Sequence, residues 1–100
     1  MFKHLVFFKL QDQAEGASVA ENAQKVKELL DGLPALIPQI KQLETGINIK
    51  AGDAASHVSL YTVFENEADF NLYKDHPHHL KVVAFIGTVC SERRFVDYED

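Results

Sequence analysis

The chain has 100 residues, 46% hydrophobic and 25% charged, with a formal net charge of −5. That length predicts one domain, residues 1–100, with a single shallow core. The acidic balance excludes nucleic acid and anionic membrane surfaces as partners, because both select clustered Lys and Arg. No apolar run approaches the ~20 residues that a membrane span needs. Met1-Phe2-Lys3-His4 reads as a strand rather than a secretory leader. The single cysteine, Cys90, excludes an internal disulfide and a cysteine zinc site, and it reads as a small apolar residue of a helix. A cytoplasmic location is the expectation.

Residues 2–10 alternate, with Phe2, His4, Val6, Phe8 and Leu10 on one face and Lys3, Leu5, Phe7 and Lys9 on the other. Both faces carry large apolar groups, so both sides of this strand want cover. Gln11 to Ala17 is polar, contains Gly16 and reads as a loop. Ser18 and Glu21 have the spacing of a capping box, in which each side chain satisfies a free amide of a helix start. Val19, Ala23, Val26, Leu30 and Leu33 then form one stripe of a helix that Gly32 and Pro34 end. Residues 40–50 alternate as a strand with a bulge or bend at Gly46, and Ala51-Gly52-Asp53 supplies a turn.

Residues 57–64 form a third strand, with Val58, Leu60, Thr62 and Phe64 on one face and His57, Ser59, Tyr61 and Val63 on the other. Asn66 caps a short helix to about Tyr73. Asp75-His76-Pro77 interrupts it, and Pro77 opens a second segment running to about Cys90. Residues 93–98 close the chain as a strand. The order βαββαβ is the ferredoxin-like split βαβ pattern: an α+β fold with a four-stranded antiparallel sheet and helices on one face. The other face would leave Leu5, Phe7, Tyr61 and Val63 in water. A second copy packed on that face, giving a homodimer, is the simplest cover.

The opening Phe-Lys-His-Leu-Val-Phe-Phe-Lys-Leu, the stretch Leu33-Pro-Ala-Leu-Ile-Pro-Gln-Ile, Gly46, Tyr73-Lys-Asp-His-Pro-His-His79 and Val96-Asp97-Tyr98 together resemble the stress-responsive A/B-barrel domain (Dabb) family. The resemblance runs end to end, and its most specific element is Tyr-x-x-His-Pro-x-His. It implies a dimeric α+β barrel, two ferredoxin-like subunits joined sheet to sheet. One plant branch, the olivetolic acid cyclases, closes a linear polyketide by aldol chemistry with a Tyr and a His. The motif places those roles on Tyr73 and His79, with His4 and Asp97 as further pocket residues. The match departs where that branch has a pocket His on strand three, which is Val58 here. Its pocket aromatics on helix one are Lys27 and Leu30 here. Some plant relatives hold Mg²⁺ with backbone carbonyls at the helix-one to strand-two junction, for which the matching stretch is Pro34 to Ile40.

From the residues themselves, His79 stands four before Val83 and seven before Ile86, which turns it toward the core beside Tyr73. An imidazole there can take a proton near neutral pH, and a tyrosine can donate to a developing enolate oxygen. Alternatively, His79 bonds to Asp97 or His4 and merely ties helix to sheet. His76 reads as a cap, His78 as exposed, and His57 as bonding across the interface face. His76, His78 and His79 leave one turn in different directions, so no metal site is expected. No Gly-rich phosphate loop, dinucleotide fingerprint or nucleophile elbow occurs, so no cofactor is expected.

Two readings stay open. The first is a small-molecule enzyme or binding protein with catalytic Tyr73 and His79. Its pocket would be lined by His4, Val6, Phe8, Leu60, Ile86 and Asp97. The second is a non-catalytic, stress-related dimeric scaffold with its polar groups mutually satisfied. A cavity of ~300 Å³ or more touching Tyr73 and His79 separates them.

Overall fold

The computed structural model covers residues 1–100. Strand β1, Phe2–Leu10, is followed by two minute strands, β2 (Gln13–Ala14) and β3 (Ala17–Ser18). Helix α1 is Val19–Asp31, then come β4 (Gln42–Ile47) and β5 (Val58–Phe64). Helices α2 (Glu67–Lys74) and α3 (Pro77–Val89) lead into β6 (Cys90–Glu99). The main sheet has four strands in the order β4-β5-β1-β6, each pair antiparallel. No helix is long and apolar enough to cross a membrane.

Local chemistry accounts for most element boundaries. The Ser18 side chain accepts the Glu21 amide and the Glu21 carboxylate accepts the Ser18 amide, so the capping box is complete. The Ser18 amide holds the Glu21 carboxyl below its ordinary range. Asn66 caps α2 through the Asp69 amide, and Pro77 stands in the first turn of α3 after the His76 cap. His78 is exposed and its amide donates to His76 Nδ1.

Several boundaries differ from the sequence reading. The polar stretch 11–17 folds back as a hairpin, because Glu15 (φ 51°) and Gly16 (φ 71°) both take the left-handed backbone of a tight two-residue turn. The β4–β5 ladder runs in unbroken register through Gly46↔Ser59, so no bulge occurs there. A Cβ at Gly46 would lie 3.0 Å from Ser59 Oγ, so the glycine answers a close cross-strand approach. The register shift falls instead at Lys9/Leu10 against β6. Strand β6 begins three residues earlier than expected, at Cys90, which is the C-cap of α3 rather than a helix residue. Within the chain His57 has a partner that its sequence position does not announce. Its Nδ1 accepts the Leu10 amide at 2.8 Å and so closes the β1–β5 end.

The strand period of two sorts the sheet. Val6, Phe8, Val58, Leu60 and Phe64 face the helices and are buried with Val26 and Leu30 of α1, Phe70 and Tyr73 of α2, and Val82, Ile86 and Val89 of α3. Phe2 stacks on Phe70 at 4.6 Å, and Phe64 meets Tyr73 at 4.9 Å. On the open face Leu5 and Tyr61 are half-buried and Phe7 is 41% exposed, but Val63 is already buried within the chain. Val96 and Tyr98 of β6 extend this face and are exposed. The helices leave the inner side of β6 uncovered, so Phe95 is 65% exposed although it faces the same way as Val6.

The Cys90 Sγ lies 3.0 Å from the Glu92 carbonyl and 3.2 Å from the Lys9 carbonyl, either of which can accept its one hydrogen, and burial pushes its pKa up. Cys90→Ala should therefore fold normally and lose only about 1 kcal/mol, read as a small drop in the thermal midpoint. A chain that no longer folds would show that the thiol holds the α3–β6 corner far more tightly than these contacts allow.

Candidate functional site

A cleft of about 480 Å³ opens between α2, α3 and the sheet, alongside β6. Tyr73 and His79 line it, and so do His4, Val6, Phe8, Leu60, Ile86 and Asp97. Tyr73 is the penultimate residue of α2 and His79 lies in the first turn of α3. Their rings stand 4.2 Å apart, centroid to centroid, at 37°. The Tyr73 hydroxyl is buried and has no hydrogen-bond partner. Leaving such a group unpaired costs about 1–3 kcal/mol, so it stands out as a place for an added partner.

His79 Nδ1 lies 2.9 Å from the Lys74 carbonyl. A carbonyl only accepts, so Nδ1 carries the proton and Nε2 keeps a free lone pair. His4 and Asp97 are direct cross-strand neighbours on β1 and β6, and His4 Nδ1 bonds to Asp97 Oδ1. Asp97 thereby orients His4, and His79 is bonded to neither of them. His4 also packs against Phe70 at 4.9 Å, which fixes its ring over the floor of the cleft.

The sequence reading missed other wall residues. Lys74 and Asp75 enter at the α2–α3 junction, and Arg93 and Phe95 from β6. The alternation Arg93, Phe95, Asp97 puts the last two and Arg93 on one face, a signal present in the sequence. Of the helix-one positions singled out above, Leu30 lines the cleft. Lys27 turns away, donating to the Thr45 carbonyl at 2.9 Å and pairing with Asp31 at 3.1 Å. Val58 is core and does not reach the cleft. No group of three or more His, Cys, Asp or Glu side chains converges as metal ligands. Within 34–40 the Ile37 carbonyl accepts the Ile40 amide at 3.2 Å.

The model of the Stress Responsive A/B Barrel Domain matches residues 2–100. The chain belongs to this family. Among solved structures it is similar to a dimeric ferredoxin-like protein of unknown function from Bacteroides fragilis, at 32% identity over 99% of this chain and 95% of that one, TM-score 0.88. A Dabb family protein from Mesorhizobium loti matches at 20% identity over 99% and 95% of the two chains, TM-score 0.72. A hydroxynitrile lyase from Passiflora edulis matches at 16% identity over 97% and 90%, TM-score 0.81. The last two likenesses establish the fold alone. No match is found among curated proteins.

In this A/B-barrel chain the site's electrostatics favour a neutral imidazole beside a protonated phenol. Burial lowers the His79 pKa, partly offset by its bond to the Lys74 carbonyl, and the charges of His4 and Arg93 lower it further. Burial raises the Tyr73 pKa well above the ordinary tyrosine range, so its hydroxyl stays a donor.

The sign of the His79 shift sets a pH dependence. Between its lowered folded pKa and the ordinary value of about 6.5, the unfolded chain binds the proton and the folded chain does not. This contribution to stability is fully present above about 6.5 and is lost as pH falls through that window. Urea titrations from about pH 5 to about pH 8 should show wild type losing more stability on acidification than His79→Gln. Parallel profiles for the two proteins would contradict the shift.

Proposed function

We propose that the chain forms a homodimer, binds a small organic molecule in the cleft of each subunit, and moves a proton on it with His79 and Tyr73. The observation that carries this is the buried, partnerless hydroxyl of Tyr73, whose ring stands 4.2 Å from that of His79 with its free Nε2, in a cleft of about 480 Å³. A scaffold with a filled core and satisfied polar groups would have neither feature.

In the reaction we infer, His79 Nε2 takes a proton from the carbon next to a carbonyl. Tyr73 donates a hydrogen bond to the oxygen as enolate charge develops. The burial that keeps His79 neutral keeps its lone pair available, and the burial that keeps Tyr73 protonated keeps its donor. Cyclase-like or lyase-like steps on an enolisable compound suit this pair. The structural likeness to a hydroxynitrile lyase is compatible with that class.

Thermal melts test the reading with wild type, Tyr73→Phe and His79→Ala, each against a set of small phenolic and keto compounds. Tyr73→Phe removes a hydroxyl that has no partner, so its stability should stay within about 1 kcal/mol of the parent. A ligand-induced rise in wild type should vanish in both variants. Losses of about 2–4 kcal/mol in both variants, with no ligand response in wild type, would leave only the scaffold.

The open face supports the dimer. Phe7, Val96 and Tyr98 stay exposed beside half-buried Leu5 and Tyr61, and the Bacteroides relative is described as dimeric. Such a sheet-to-sheet contact should bury more than about 1,000 Å² in total. Sedimentation at micromolar concentration should give twice the 11.3 kDa chain mass. Phe7→Asp should dissociate the pair, because an unpaired carboxylate on a covered face is strongly disfavoured. A wild-type monomer at that concentration would exclude the dimer.

A further inference from the structure

We propose that Arg93 is the anion-binding residue of the cleft, so that the ligand is a small organic acid. Its carboxylate would sit on the guanidinium, and its carbonyl would reach Tyr73 and His79. This rests on the ligand pocket proposed above and adds the chemical class of what fills it.

The argument starts from which charges are already used. Arg94 pairs with Glu92 at 2.6 Å, Lys27 with Asp31 at 3.1 Å, Lys41 with Glu65 at 3.5 Å and Lys3 with Asp100 at 3.8 Å. The Arg93 side chain forms neither an ion pair nor a hydrogen bond, although the chain carries 15 acidic residues against 10 basic ones. Of the chain's two guanidinium groups, that of Arg94 has a carboxylate and that of Arg93 has none. This one lies in the wall of the cleft.

Its neighbours do not supply the missing anion. Asp97, two strand steps along the same face, is bonded to His4. Asp75 also lines the cleft, at the α2–α3 junction, and makes no ion pair with Arg93. Between Arg93 and Asp97 stands Phe95, an exposed ring on the inner face of β6. Strand geometry places successive residues of one face about 6.6 Å apart, so the ring lies one step from the guanidinium. A flat apolar body can rest on Phe95 while its carboxylate takes the two parallel N–H donors of Arg93. Arg93 and His79 line the same cleft, so one small ligand can meet both.

Calorimetric titration decides the matter with paired probes: a series of aryl and alkyl oxo acids, each beside its own methyl ester. Wild type should bind the acids at least about tenfold more tightly than the esters, with the preference shrinking as salt is added. Arg93→Gln should bring acid binding down to the ester level and leave ester binding unchanged. Arg93→Lys should restore part of the preference. Arg93 is exposed on an edge strand, so both variants should fold, and the thermal midpoint checks this. Equal binding of acids and esters by wild type, or unchanged acid binding by Arg93→Gln, overturns this proposal while the pocket stands. Failure of every pair to bind overturns the pocket and this proposal with it.

Discussion

The break between α2 and α3 is the constraint on which the cleft depends. In an unbroken helix, residues 73 and 79 would be separated by about 9 Å along the axis and by about 120° around it, too far for their rings to meet. Pro77 removes the amide that would continue α2, and the His78 amide, which would have bonded the Lys74 carbonyl, goes instead to His76 Nδ1. The chain turns, and the Lys74 carbonyl is left for His79 Nδ1. One interruption thus brings Tyr73 against His79 and fixes the tautomer of the imidazole. It also leaves Lys74 and Asp75 at the rim.

The helices cover the sheet unevenly. Helices α1 and α3 bury their apolar residues against β1 and β5, where Val6, Phe8, Leu60 and Val58 are nearly inaccessible. Strand β6 is at the edge, and its inner face carries Arg93, Phe95 and Asp97 in place of aliphatic residues. A helix packed on that row would bury a guanidinium and a carboxylate at a cost of several kcal/mol each. The polar row on β6 and the gap above it are therefore two sides of one arrangement.

This also marks what the sequence could and could not disclose. The capping box, the α1 stripe, the Pro77 start and the strand alternation are local patterns, each decided by a few adjacent residues, and they were readable. So was the inward turn of His79, because Val83 and Ile86 lie on the same helical face and both line the cleft. Gly46 was readable as unusual but not as to why, because its neighbour Ser59 belongs to another strand. The Leu10 bond of His57 and the burial of Val63 were hidden for the same reason. Facing the open side says nothing about whether Leu10 offers an amide or whether neighbouring chain already covers a valine. Arg93 and Phe95 could be placed on a face but not in a cleft, because the helical layer above decides which strand stays uncovered.

Period-two alternation finally separates the two surfaces of the molecule. Phe7 and Phe8 are adjacent in sequence, yet Phe8 lines the cleft and Phe7 stands on the open face. Arg93 and Arg94 divide in the same way: Arg94 pairs with Glu92, and Arg93 enters the cleft without a partner. A second copy seated on Leu5, Phe7 and Tyr98 would approach from the side opposite the helices, so its arrival would leave the mouth of the cleft clear. The two surfaces still share one backbone. Strand β1 carries His4 and Phe8 inward and Leu5 and Phe7 outward, so the alternation of one strand supplies both the cleft and the open face.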